Sequence, residues 1–106
     1  MGYKVLLVED DHDIREAVAD YFTGVEASEM NVSCACDGIQ AEEMLYEDQY
    51  DLVLLDIMLP GVDGWELCRQ IRKTSDVPVI FLTARARQED VLYGYTLGCD
   101  DYVVKP

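Results

Sequence analysis

Basic residues are scarce in this chain: 8 lysines and arginines face 22 aspartates and glutamates, a formal net charge of −14 over 106 residues. Phosphate backbones are gripped by clusters of Lys and Arg, so direct nucleic-acid binding by this chain is not expected. Long apolar runs are missing as well. No segment approaches the ~20 apolar residues that cross a bilayer, so no membrane partner is expected. The N-terminus has no basic stretch leading into a long apolar one; no signal peptide is expected, and the cytoplasm is the default. Four cysteines, Cys34, Cys36, Cys68 and Cys99, form no CxxC and no second pair that would complete a zinc site. With 50% of the residues hydrophobic and no export signal, free core thiols are expected rather than a disulfide scaffold. Repeats, low-complexity tracts, linkers and a P-loop signature are all absent, and the length suits one domain over residues 1–106. "DDHD" opens like a calcium loop, but no Gly or closing Glu follows at the required spacing.

What is present is an alternation. Tyr3 to Val8, "YKVLLV", reads as a short buried strand. Ile14, Ala17, Val18, Tyr21 and Phe22 then recur at helical spacing, with Gly24 as a stop. Val32 to Cys36 is a second strand, Asp37-Gly38 a turn, and Ala41, Met44 and Leu45 mark a second helix. Leu52 to Leu55 is a third strand and Trp65 to Lys73 a third helix, its basic residues placed where the helix dipole favours them. Val77 to Leu82 is a fourth strand with Pro78 at its entrance. Gln88 to Leu97 is a helix, and Tyr102 to Val104 a fifth strand. The order βαβαβαβαβ with short links predicts an α/β fold with a parallel sheet and right-handed crossovers. A fifth strand calls for a covering helix, and none follows. The chain is therefore expected to be cut from something longer, or covered by a neighbouring molecule.

In parallel α/β sheets the working residues lie at the carboxyl ends of strands. Strand one delivers Glu9, Asp10 and Asp11, strand three Asp56, strand four Thr83 and strand five Lys105. Asp51 falls at the opposite end of strand three. Asp56 is the anomaly that carries the argument, because "LVLLD" drives a carboxylate into the end of an apolar run. Like charges ~4 Å apart repel by roughly 4 kcal/mol at an effective dielectric near 20, so this crowd of carboxylates calls for a cation. A hard, all-oxygen site suits Mg²⁺, which also supports phosphoryl chemistry. Asp56 is then the candidate nucleophile, with Lys105 and Thr83 placed to meet phosphoryl oxygens. His12 reads as a surface residue beside the site, and Trp65 as packing at a helix start.

"VLLVEDD", "DLVLLDIMLPGVDG", "VIFLTAR" and "GCDDYVVKP" closely resemble the receiver domain of two-component response regulators, most of all the OmpR/PhoB-type subgroup. The resemblance implies a doubly wound, five-stranded parallel sheet in the flavodoxin-like order 2-1-3-4-5, here lacking the final helix. It implies Asp10 as a direct Mg²⁺ ligand and Glu9 as an indirect one. Asp56 becomes phosphoacceptor and ligand, and the Met58 backbone carbonyl completes the metal site. Thr83 and Tyr102 are implied as a switch pair, Tyr102 filling space that Thr83 vacates. Lys105 is the phosphate-contacting lysine, and Lys105-Pro106 a cis peptide. Further implications are a sensor histidine kinase as phosphoryl donor and a DNA-binding output domain absent from this chain. Asp100 and Asp101 are what remains of a charged homodimer face, without its basic partners. The function expected is a phosphoaccepting regulatory switch rather than an enzyme. Two alternatives stand beside it. A haloacid-dehalogenase-type phosphatase would want a second Asp where Met58 stands, and a pseudo-receiver would no longer take phosphate.

Overall fold

The computed structural model describes residues 2–24 and 30–105. Most of the long first connection, and the Lys105-Pro106 bond expected to be cis, lie outside the described residues. Five strands alternate with four helices: β1 (Tyr3–Val8), α1 (His12–Gly24), β2 (Met30–Ala35), α2 (Gly38–Glu47), β3 (Leu52–Leu55), α3 (Gly64–Thr74), β4 (Val79–Thr83), α4 (Gln88–Thr96) and β5 (Asp101–Val104). Every strand pair is parallel, in the order β2-β1-β3-β4-β5. The doubly wound α/β architecture is therefore the one expected. Among the described residues, no helix follows β5 and none is long and apolar enough to cross a membrane.

Period-two alternation sorts the strand side chains between two faces. Leu6, Val8, Val53, Leu55, Val79, Phe81 and Tyr102 join the larger core, which Leu67, Cys68 and Ile71 of α3 and Ala41 of α2 complete. Val5, Leu7 and Leu54 face the other way, covered in part by Val18 of α1. That second face is thinner, and Val103 on its β5 end stays exposed.

Several local expectations shift. Gly38 is not part of a turn but the buried first residue of α2; Asp37 caps the helix, its Oδ1 accepting from Gln40 N at 2.7 Å. β4 begins two residues later than expected, at Val79, because Pro78 has no N–H for the ladder. On α1, Ala17 and Tyr21 point to solvent, while Ile14 and Val18 are half-buried. A helix alone on its side of the sheet buries a narrower stripe than the periodicity suggested. All four cysteines are free: Cys68 and Cys99 are buried, Cys34 is half-buried against the second core face, and Cys36 is exposed beyond the end of β2. Burial pushes the Cys99 thiol up to about 11, helped by the neighbouring Cys68. Asp100 is engaged inside the chain: its Oδ2 accepts from Arg72 Nη2 and from Val79 N, each at 2.8 Å. Within the chain, Asp100 is thus paired with Arg72 of α3.

Candidate functional site

Register assembles the site. Val8 pairs with Leu55 across β1 and β3, so the next residues, Glu9 and Asp56, leave the sheet side by side. Leu55 pairs with Phe81 and Thr83 with Val104, which brings Thr83 and Lys105 to the same rim. The ladder runs on past the strand ends: Glu9 N donates to Ala35 O at 3.0 Å, Asp56 N to Val8 O at 3.1 Å and Lys105 N to Thr83 O at 2.8 Å. These bonds fix the backbone from which each functional side chain projects. Close behind lies Gly64, where an added Cβ would stand 2.1 Å from the Asp56 carbonyl oxygen. The start of α3 can approach the end of β3 only because that side chain is absent.

The Lys105 ammonium sits between two carboxylates, 2.8 Å from Asp56 Oδ2 and 2.5 Å from Glu9 Oε1. Glu9 is 1% exposed and Asp56 6%. Burial raises the Glu9 carboxyl above its ordinary value, with the Asp56 charge adding to it; Lys105 and the Asp11 N–H pull the other way. Burial works against the Lys105 charge, yet its bonds to Asp56 and Glu9 outweigh that and hold its pKa above the usual lysine value. Glu9 Oε1 is buried and, despite the nearby ammonium, has no well-angled hydrogen bond. Glu9, Asp10 and Asp56 each offer a carboxylate oxygen, all within 4.8 Å of one another. A buried carboxylate oxygen without a well-angled hydrogen bond, beside two more carboxylates, is a donor set that suits a hard divalent cation such as Mg²⁺.

The other expected residues fall around this centre with different degrees of engagement. Asp10 is exposed at the mouth of an open hollow of ≈ 410 Å³, lined also by Met58, Trp65 and Arg85. Met58 donates its N–H to Asp56 Oδ1 at 3.3 Å and leaves its side chain in solvent. Thr83 is fully buried, its Oγ1 accepting from Arg85 N at 3.3 Å. Tyr102 is already inside: its ring packs on Phe81, and its hydroxyl donates to Arg85 O at 2.7 Å. Asp11 turns away from the cluster and caps α1, accepting from Ile14 N at 3.1 Å. His12 is exposed at the start of α1. Asp51 closes the far end of the sheet, accepting from Lys4 N at 2.8 Å.

Three neighbours of the site were not read as part of it from the sequence. Arg85 touches both Thr83 and Tyr102 through its backbone. Trp65 is more than helix-start packing, since it lines the hollow while making edge contacts with Phe81 and Tyr93. Arg15 reaches back from α1 to the carbonyls of the acidic pair. Its position one turn into the helix that follows the acidic residues was the available clue.

The family described as response regulator receiver domain matches residues 5–106. The fold is similar to the receiver domain of a Francisella response regulator, at 32% identity and a TM-score of 0.91, covering 99% of this chain and 85% of that one. It is similar also to the BeF3-activated N-terminal receiver domain of Klebsiella pneumoniae RstA, at 35% identity and a TM-score of 0.89, covering 97% of this chain and 87% of that one. A third similar structure is DrrB of Thermotoga maritima, an OmpR/PhoB homolog, at 36% identity and a TM-score of 0.86. The match covers all of this chain and 46% of DrrB.

Proposed function

The chain belongs to the response regulator receiver family of two-component systems, whose members are regulatory phosphoacceptors, and from that premise we propose that Asp56 accepts a phosphoryl group from a sensor histidine kinase. The observation that carries this reading is the Lys105 ammonium held between Asp56 and Glu9, with the Asp10 carboxylate beside them. An Asp56 oxygen attacks phosphorus. The new P–O bond forms as the P–N bond of a phosphohistidine breaks, and the electron pair leaves with the imidazole. Asp10, Asp56 and the Met58 carbonyl, with Glu9 acting indirectly, would hold Mg²⁺, which when bound offsets charge on the phosphoryl oxygens. Lys105 then turns one of its N–H donors from carboxylate to phosphoryl oxygen.

Signal output follows from the same contacts. Thr83, as a hydroxyl, can donate to an incoming phosphoryl oxygen. It is bonded to Arg85 N, and the carbonyl of Arg85 holds the Tyr102 hydroxyl. Movement of Thr83 is thus felt at the Tyr102 ring and at the α4–β5 surface, a population shift driven by added local charge. A DNA-binding output domain beyond this chain, and a homodimer, are the partners such a surface change would serve.

Incubation with acetyl phosphate and Mg²⁺ should add one phosphoryl group by intact-mass spectrometry, and Asp56→Asn should take none. Full labelling of the variant would remove the assignment, and no labelling of the wild type would favour the pseudo-receiver. Membership of the receiver family leaves the phosphatase alternative without support.

A further inference from the structure

An arginine one turn into the helix that follows two acidic residues would ordinarily fork onto a nearby carboxylate. Arg15 does not. Its Nη1 donates to the Glu9 carbonyl at 2.9 Å and to the Asp10 carbonyl at 3.1 Å, while Nη2 lies 3.4 Å from His12 Nδ1. These two carbonyls stand where the chain leaves β1 and has not yet entered α1, whose first turn is closed by Arg15 N donating to Asp11 O at 3.0 Å. Backbone oxygens at such a junction need partners from elsewhere, and one half-buried guanidinium supplies both. Among the described residues, it makes no ion pair with the Glu9, Asp10 or Asp56 carboxylate, and Lys105 remains the cation that pairs with Glu9 and Asp56.

We propose that Arg15 is the positioning residue of the acidic pair: by gripping the Glu9 and Asp10 carbonyls, it sets the loop from which both carboxylates face Asp56. The inference rests on the reading of Glu9, Asp10 and Asp56 as a Mg²⁺ site. Charge and geometry predict opposite signs here. A positive side chain near a cation site should weaken Mg²⁺ binding, so charge alone says that neutralising Arg15 tightens it. Loss of a positioning contact says that it loosens, typically by about 10–100-fold for groups that orient metal ligands.

The experiment is a MgCl2 titration of the whole chain, Arg15→Gln and Arg15→Lys, followed by calorimetry and by Trp65 emission. Melting in EDTA is the control for folding. Expected is a loss of Mg²⁺ affinity of about tenfold or more in Arg15→Gln, with the EDTA melting temperature little changed and part of the affinity restored in Arg15→Lys. Affinity in Arg15→Gln equal to or tighter than wild type overturns the proposal. So does a loss that follows a collapse in melting temperature and is not recovered by lysine. If Arg15→Gln does not fold, Arg15→Lys decides: weaker Mg²⁺ binding supports the proposal and wild-type binding overturns it. A wild-type chain without any Mg²⁺ response strikes instead at the metal reading on which the inference stands.

Discussion

Glu9 is buried at the end of β1 and shares one lysine with Asp56. Its raised pKa means that the folded chain binds the Glu9 proton more tightly than the unfolded chain does. The stability this gives is fully present below the ordinary carboxylate value of 4.5 and is lost as pH rises through the raised value. Above that raised value the ionised Glu9 works against the metal-free fold. Glu9→Gln, which imitates the protonated side chain, should melt higher than wild type in EDTA at pH 7. The difference should shrink on acidification, as wild-type Glu9 gains its proton. Thermal melts of the two proteins across pH test this; parallel curves would show that burial of Glu9 carries no energetic weight.

At the scale of elements, α4 and β5 meet through Gly94 and Tyr102. A Cβ at Gly94 would lie 2.9 Å from Tyr102 Cδ2 and 3.4 Å from Phe81 Cδ2. Glycine inside a helix is disfavoured by about 1 kcal/mol relative to alanine, so its presence in α4 needs a reason, and the inward ring is that reason. Gly94→Ala should lower the melting temperature while Tyr102 is present. In a Tyr102→Ala background the same change should raise it, because only the helix propensity remains. Melting curves for the four combinations measure the coupling, and a rise in both backgrounds would mean that the ring does not need the space. This contact was not legible in the sequence. Spacing placed Gly94 on a helix and Tyr102 on a strand, but which face of α4 meets which strand is a matter of packing. The N-caps were not legible in it either: Asp37 reads as part of a turn and Asp63 is not singled out, yet each accepts from the backbone N–H three residues on.

Across the whole molecule, the charge of −14 and the acidic rim point the same way. A ligand that binds only the folded state stabilises it by mass action, here by about 1.4 kcal/mol at tenfold above the dissociation constant. For a domain of this size that is a rise of several degrees in melting temperature. A Mg²⁺ titration followed by thermal melting should show it, and Asp56→Asn should blunt it; an unchanged melting curve in the wild type would count against a metal at this rim. The βα alternation, the parallel sheet and the residues that stand at each strand end were determined by the sequence alone, because hydrophobic periodicity and strand polarity are local properties that one chain writes directly. Tertiary structure alone decided that Lys105 bridges Glu9 and Asp56, that Tyr102 is turned inward onto Phe81 and Gly94, that Asp11 leaves the cluster to cap a helix, and that Arg15 holds two carbonyls rather than a carboxylate. Each of these depends on register and on which faces pack together, and residues far apart in sequence choose their partners only once the sheet has closed around them.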